Sequence, residues 1–154
     1  MPGQAAGGLA CGLDPILCVG ETGEERQAGR TALVVGDQLR ASLAGLAPDE
    51  LRRVVVAYEP RWAIGTGLTP TLAEVSEVLL RTRAVLEGLS PAGAEVPILY
   101  GGSVSEANAA ELLSLPECAG ALVGGASLSA ARFAAISTAA AAPRVRRPLE
   151  AGSE

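Results

Sequence analysis

The chain has 154 residues, a formal net charge of −5, no His, and 12 basic residues that are all Arg. An acidic balance whose only basic cluster is Arg144–Arg147 excludes nucleic acid as a partner, and that cluster reads as a solvated tail. No apolar run approaches the ~20 residues of a membrane helix, which excludes a membrane span, and a hydrophobic fraction of 49% fits a packed globular domain.

In chain order, the leader Met1–Gly12 lacks the basic and apolar regions of a signal peptide. Gln4–Gly12 reads as the last turns of a helix whose beginning is absent. Pro15–Val19 is the first strand, with Cys18 in it as a small core residue. Cys11, Cys18 and Cys118 have neither even parity nor metal-ligand spacing, so a reduced, cytoplasmic protein is expected. Glu24 and Glu25 read as first-turn helix charges. Ala32, Val35, Leu39 and Leu43 then form an apolar helical stripe.

Arg53–Tyr58 is the second strand, a continuously apolar run after its first residue, bounded by turn signals. The next helix opens on a capping box, Thr71-Leu72-Ala73-Glu74, and carries Leu72, Val75, Leu79, Leu86 and Leu89 on one stripe. Val96–Tyr100 is the third strand, and Ser105 caps a short helix after it. Gly120–Val123 is the fourth strand. Ser127 or Ser129 opens a last helix that runs to about Ala142, where Pro143 ends it, and residues 143–154 read as a disordered tail.

Strand and helix therefore alternate four times. The strands are apolar throughout rather than alternating, as expected of parallel strands covered on both faces. Repeated βα units imply right-handed crossovers and an α/β fold.

Two features carry chemistry. Glu59 stands where the second strand ends, followed by Pro60, an apolar stretch and Gly65-Thr66-Gly67, as a general base under a closing lid would be mounted. Three glycine turns (Gly65-Thr66-Gly67, Gly101-Gly102-Ser103 and Gly124-Gly125) follow successive strands. Each by itself is an ordinary tight turn. Together, at the same ends of parallel strands, they offer backbone amides to one anion, where a (β/α)8 barrel binds phosphate.

Four segments resemble the triosephosphate isomerase family: Pro15–Thr22, Tyr58–Gly67, Ile98–Val104 and Ala121–Leu128, in the family's order and spacing. The resemblance covers about residues 4–142 and implies residues 1–142 as the C-terminal part of a TIM (β/α)8 barrel. It implies interconversion of dihydroxyacetone phosphate and glyceraldehyde 3-phosphate through an enediol, without cofactor or metal. Under it Glu59 is the base, Pro60 to Thr69 the lid with Trp62, Ile64, Thr66 and Gly67 in it, and the amides of Gly65, Ser103, Gly124 and Gly125 hold the phosphate. Ile64 and Leu122 clamp Glu59 in a dry pocket, where desolvation raises its proton affinity. Glu21 becomes a supporting carboxylate for the Trp62 indole. On the residues alone, Glu21 could equally be an exposed partner of Arg26.

The sequence departs from the family's pattern in three places. A full barrel takes about 250 residues, and the four units here resemble the second half. The family's first half supplies an Asn, a Lys and a His, and this chain has no Lys or His. An inactive isolated chain is therefore expected, with a small sugar phosphate as substrate and a homodimer or a complementary N-terminal half as partner. Arg61 takes a lid position that is usually small and apolar. It is either an exposed variant or a cation suited to a larger ketose phosphate such as a tetrulose phosphate. Pro70 has no N–H for the latch the family closes on a Tyr hydroxyl, here Tyr100. The alternative of a different class is a non-catalytic, phosphate-binding half-barrel.

Overall fold

The computed structural model describes residues 4–64, 66 and 68–141. The tail from Pro143, and the Pro143 stop itself, lie outside the described residues.

Four parallel strands form one sheet in the order β1-β2-β3-β4: β1 Ile16–Val19, β2 Val55–Tyr58, β3 Ile98–Tyr100 and β4 Gly120–Ala121. Each strand lies beside its sequence neighbour. A doubly wound sheet would reverse direction; this one advances one way throughout. With right-handed crossovers, that order puts the connecting helices on one face and leaves the other as the inner face of a barrel arc.

The helices are α1 Gln4–Ala10, α2 Gly23–Gln27, α3 Thr31–Leu43, α4 Pro48–Leu51, α5 Leu72–Leu89, α6 Ala109–Ser114 and α7 Ala130–Ala141. Short 3-10 turns at Pro91–Glu95 and Gly125–Leu128 complete the described elements. Thr71 and Glu74 form the expected capping box at the start of α5, and Thr22 and Glu25 form a second one at α2.

Two local expectations are corrected and one alternative is resolved. The strands are shorter at their ends. Pro15 gives its carbonyl to Val55 but has no N–H, so β1 begins at Ile16. β4 stops at Ala121, with one further bond from Leu122 N–H to the Tyr100 carbonyl. Ser105 does not cap α6. A turn on the Ser105 carbonyl comes first, and Asn108 occupies the N-cap without a side-chain capping bond. Of the two candidate openers, Ser129 stands directly before α7, and its carbonyl accepts from Phe133.

The core lies between the helices and the outer face of the sheet. Leu39 of α3, Val75, Leu79 and Leu86 of α5, and Val56, Ile98 and Tyr100 of the sheet are all fully buried in it. The α5 stripe ends before Leu89, which is 38% exposed, while Val78 and Thr82 join the buried face. Among the described residues no helix is long and apolar enough to cross a membrane.

Leu79 and Leu80 are neighbours on α5, with Leu79 inaccessible and Leu80 51% exposed. Leu79→Ala is expected to destabilise the chain by about 2–5 kcal/mol, and Leu80→Ala by no more than about 0.5 kcal/mol. Urea unfolding of the two variants measures the difference.

Candidate active site

The parallel register sets the C-terminal ends of three strands side by side. Past β2, the Glu59 amide donates to the Val19 carbonyl at 2.7 Å, and the Gly101 amide donates to Tyr58 at 2.8 Å. Glu59 is thereby held between Gly20 and Gly101. A Cβ on Gly20 would overlap the Glu59 carbonyl, and one on Gly101 would stand 2.6 Å from Glu59 Cγ. Gly20 is itself pinned by Gln38 of α3, whose side-chain amide accepts from the Gly20 N–H at 2.8 Å and donates to its carbonyl at 3.1 Å.

Cys18 requires a correction. It is exposed rather than in the core, because β1 is an edge strand whose Ile16 and Cys18 face the uncovered inner side. Its thiol sits against Glu59. Partial burial first, then the Glu59 carboxylate, push the Cys18 thiol up, which disfavours the thiolate.

Pro60–Ile64, the start of the segment expected to be a lid, forms a turn, with the Ala63 amide donating to the Pro60 carbonyl at 2.9 Å. Glu21 is fully buried, not an exposed partner of Arg26. Its carboxylate accepts from Trp62 Nε1–H at 2.8 Å and from the Tyr58 hydroxyl at 3.2 and 3.3 Å. Arg26 lies over the other side of the Trp62 ring, its Cζ 4.1 Å from the ring centroid, and donates to Glu74. Glu74 belongs to the capping box with Thr71, just beyond the far end of the lid. One guanidinium thus ties both ends of the lid together.

Thr66 closes its own turn, donating from Oγ1 to the Trp62 carbonyl at 2.9 Å and accepting from the Leu68 amide. Ser103 Oγ reaches the lid from the next loop, 3.0 Å from the Ala63 carbonyl and 3.4 Å from that of Leu68. Ile64 is 50% exposed and Leu122 is half-buried, so Glu59 is only partly covered. Gly65 and Gly67 lie outside the described residues. The Tyr100 hydroxyl is buried without a hydrogen-bond partner among the described residues, in keeping with Pro70 lacking an N–H. Burial, with the Glu21 carboxylate second, pushes this phenol up to about 12. Arg61 is exposed and does not line the cavity described next.

That cavity, of about 480 Å³ and open to solvent, is lined by Ile64, Gly102, Ser103, Gly124, Gly125 and Arg132, among others. A Cβ on Gly124 or Gly125 would meet nothing within 4 Å, so both backbones border open space. No backbone acceptor among the described residues takes the amides of Ser103, Gly124 or Gly125. The Ser103–Ser105 loop is shaped by Asn108, which donates from Nδ2 to the Ser103 carbonyl and accepts from the Ser105 amide. Gln38, Arg26, Asn108 and Arg132 were not legible as site residues. The partners of Gln38, Arg26 and Arg132 lie 18, 48 and 26 residues away, whereas Asn108 acts within its own loop, three and five residues from Ser105 and Ser103. The Thr71–Glu74 box was the one hint that something anchors the lid's far end.

Two outcomes check this geometry. Trp62 is the sole tryptophan, so its emission reports the lid's base. Arg26→Gln is expected to red-shift that emission and raise acrylamide quenching several-fold, and an unchanged spectrum would mean the guanidinium does not hold the ring. Glu59→Gln removes a negative neighbour that keeps the Cys18 thiol protonated. Alkylation of Cys18 at pH 8, followed by peptide mapping, is therefore expected to speed up several-fold.

The family model for triosephosphate isomerase matches residues 4–140. Triosephosphate isomerases of Acidiphilium cryptum (52% identity over 148 residues, 90% of this chain and 57% of that protein) and Herpetosiphon aurantiacus (54% over 132, 84% and 53%) are similar to it. That of Moorella thermoacetica is 54% identical over 125 residues, 80% of this chain and 50% of its own length. The chain spans about half the length of these curated relatives. Its sheet order, its four strand-end motifs and these matches agree: the chain belongs to the triosephosphate isomerase family.

Proposed function

We propose that this chain carries the base, the lid and the phosphate cradle of an aldose–ketose isomerase that interconverts dihydroxyacetone phosphate and glyceraldehyde 3-phosphate. The observation that carries the reading is the Glu59 carboxylate at the end of β2, one strand away from a cavity bordered by the uncommitted amides of Ser103, Gly124 and Gly125. Gly65, from the lid, adds a fourth amide to the phosphate. Glu59 takes a proton from the carbon next to the substrate carbonyl, and the electrons move to the carbonyl oxygen as an enediolate. A proton passes from the neighbouring hydroxyl to that oxygen, and the same carboxyl returns the carbon-bound proton to the neighbouring carbon as the new carbonyl forms. Ile64 and Leu122 cover the carboxylate when the lid closes, excluding the water that would trap the intermediate.

The developing oxyanion needs a donor, and this chain has no Lys or His to supply one. Losing one such donor typically costs about 10²–10³ in rate. The donors then come from a complementary N-terminal half, and β1 and β4, the two ends of the sheet, are the edges such a half would pair. A homodimer is the other assembly those edges allow. For the polypeptide by itself, the lack of Lys and His favours phosphate binding without turnover. The alternative of a larger ketose phosphate rests on Arg61, which does not line this cavity, so the triose reading is preferred. The number and spacing of the cysteines fit a cytoplasmic setting.

The 154-residue chain is expected to show less than about 1% of an intact isomerase's turnover in a coupled dehydrogenase assay. Adding the part of the Acidiphilium cryptum relative that lies outside the match is expected to raise it. Glu59→Gln in that mixture then lowers the rate by at least about 10². Turnover by the chain alone above that level, or a restored rate indifferent to Glu59→Gln, would sink the proposal.

A further inference from the structure

Arg132 stands in the first turn of α7, where the positive end of the helix disfavours a cation. It lines the cavity shared by Ser103, Gly124 and Gly125, and is the one charged side chain among the described residues that do so. Its Nε lies 3.2 and 3.1 Å from the two oxygens of Glu106, at the end of the third βα loop. Glu106 itself does not line the cavity. The Glu106 carboxyl is held below the usual carboxylate range by its own backbone amide first and by Arg132 second, so the pair is charged at neutral pH. Both side chains are close to half exposed, 49% for Arg132 and 44% for Glu106. Such a solvated pair is a weak tether.

A phosphomonoester dianion in the cavity would present a stronger acceptor to the same guanidinium, whose planar fork matches phosphate oxygens. The chain has no Lys anywhere, so among the described lining residues the cavity's positive charge comes from Arg132 alone. We infer that Arg132 is a ligand of the substrate phosphate, and that Glu106 competes with the phosphate for it. The inference rests on reading the cavity as a phosphate cradle. Glu106 thereby sets the affinity from outside the cavity: it holds the guanidinium at the rim and gives it up to an incoming dianion.

The two partners have opposite effects on binding, which a structural ion pair would not produce. Inorganic phosphate is titrated calorimetrically, at low ionic strength, into the full chain and into three variants whose fold is checked by circular dichroism. Arg132→Ala is expected to weaken binding about tenfold. Glu106→Gln is expected to tighten it a few-fold, and the double variant to match Arg132→Ala. Loss of affinity in Glu106→Gln, or wild-type affinity in Arg132→Ala, would overturn the inference while leaving the amide cradle standing. No phosphate binding by the folded wild-type chain would remove both.

Discussion

The site depends on one steric constraint: the Glu59 residue occupies space that neighbouring strands leave free only because they end in glycine. Gly20 and Gly101 flank it in the parallel register, and a Cβ at either would collide with its backbone or its Cγ. The same register delivers the Glu59 amide to Val19 and the Gly101 amide to Tyr58. The carboxylate is therefore placed by backbone hydrogen bonds of the sheet, and its position is as rigid as the sheet itself. Gln38 extends this control outward, tying the Gly20 peptide to the helix packed behind it.

Around that fixed point the segment from Pro60 to Thr69, the proposed lid, is held near its two ends. Trp62 is caught between the buried Glu21 carboxylate, which accepts its indole N–H, and the Arg26 guanidinium over its ring. Arg26 also reaches Glu74, whose carboxylate caps α5 through Thr71. Among the described residues between them, Ser103 touches the Ala63 and Leu68 carbonyls, Thr66 bonds to Trp62 and Leu68, and Ile64 is half exposed. Anchors at both ends leave the Glu59 position independent of this segment, as the proposed lid role requires. The Tyr100 hydroxyl is buried without a hydrogen-bond partner among the described residues.

The open inner face of the sheet is the other governing fact. Ile16 and Cys18 on β1 are exposed although both are apolar or weakly polar. In a closed barrel such positions are packed by side chains of the opposite strands. An arc of four strands has no opposite strands, so it presents both an apolar face and two strand edges. These features, and the match to about half the length of each relative, are one observation seen twice.

Much of this was legible in the residues. Apolar runs between turn signals located all four strands to within two or three residues, since buried parallel strands are apolar on both faces. The Thr71–Glu74 box is a local motif and needed no fold to be read. The motif from Tyr58 to Gly67 placed a carboxylate at a strand end for the same reason. Cys18 was misread because residue type speaks for burial only when the strand's neighbours are known, and β1 turned out to be an edge. Glu21 was ambiguous between solvent and the indole until the sheet brought Trp62, 41 residues away in sequence, to its side. Gln38, Arg26 and Arg132 find their partners 18, 48 and 26 residues away. Local periodicity and short motifs carry the four strands, the longer helices, their order and the residue types at each strand end. Which charges meet, which glycines make room and which face stays open follow from register and from contacts between residues distant along the chain, so they exist only in the folded protein.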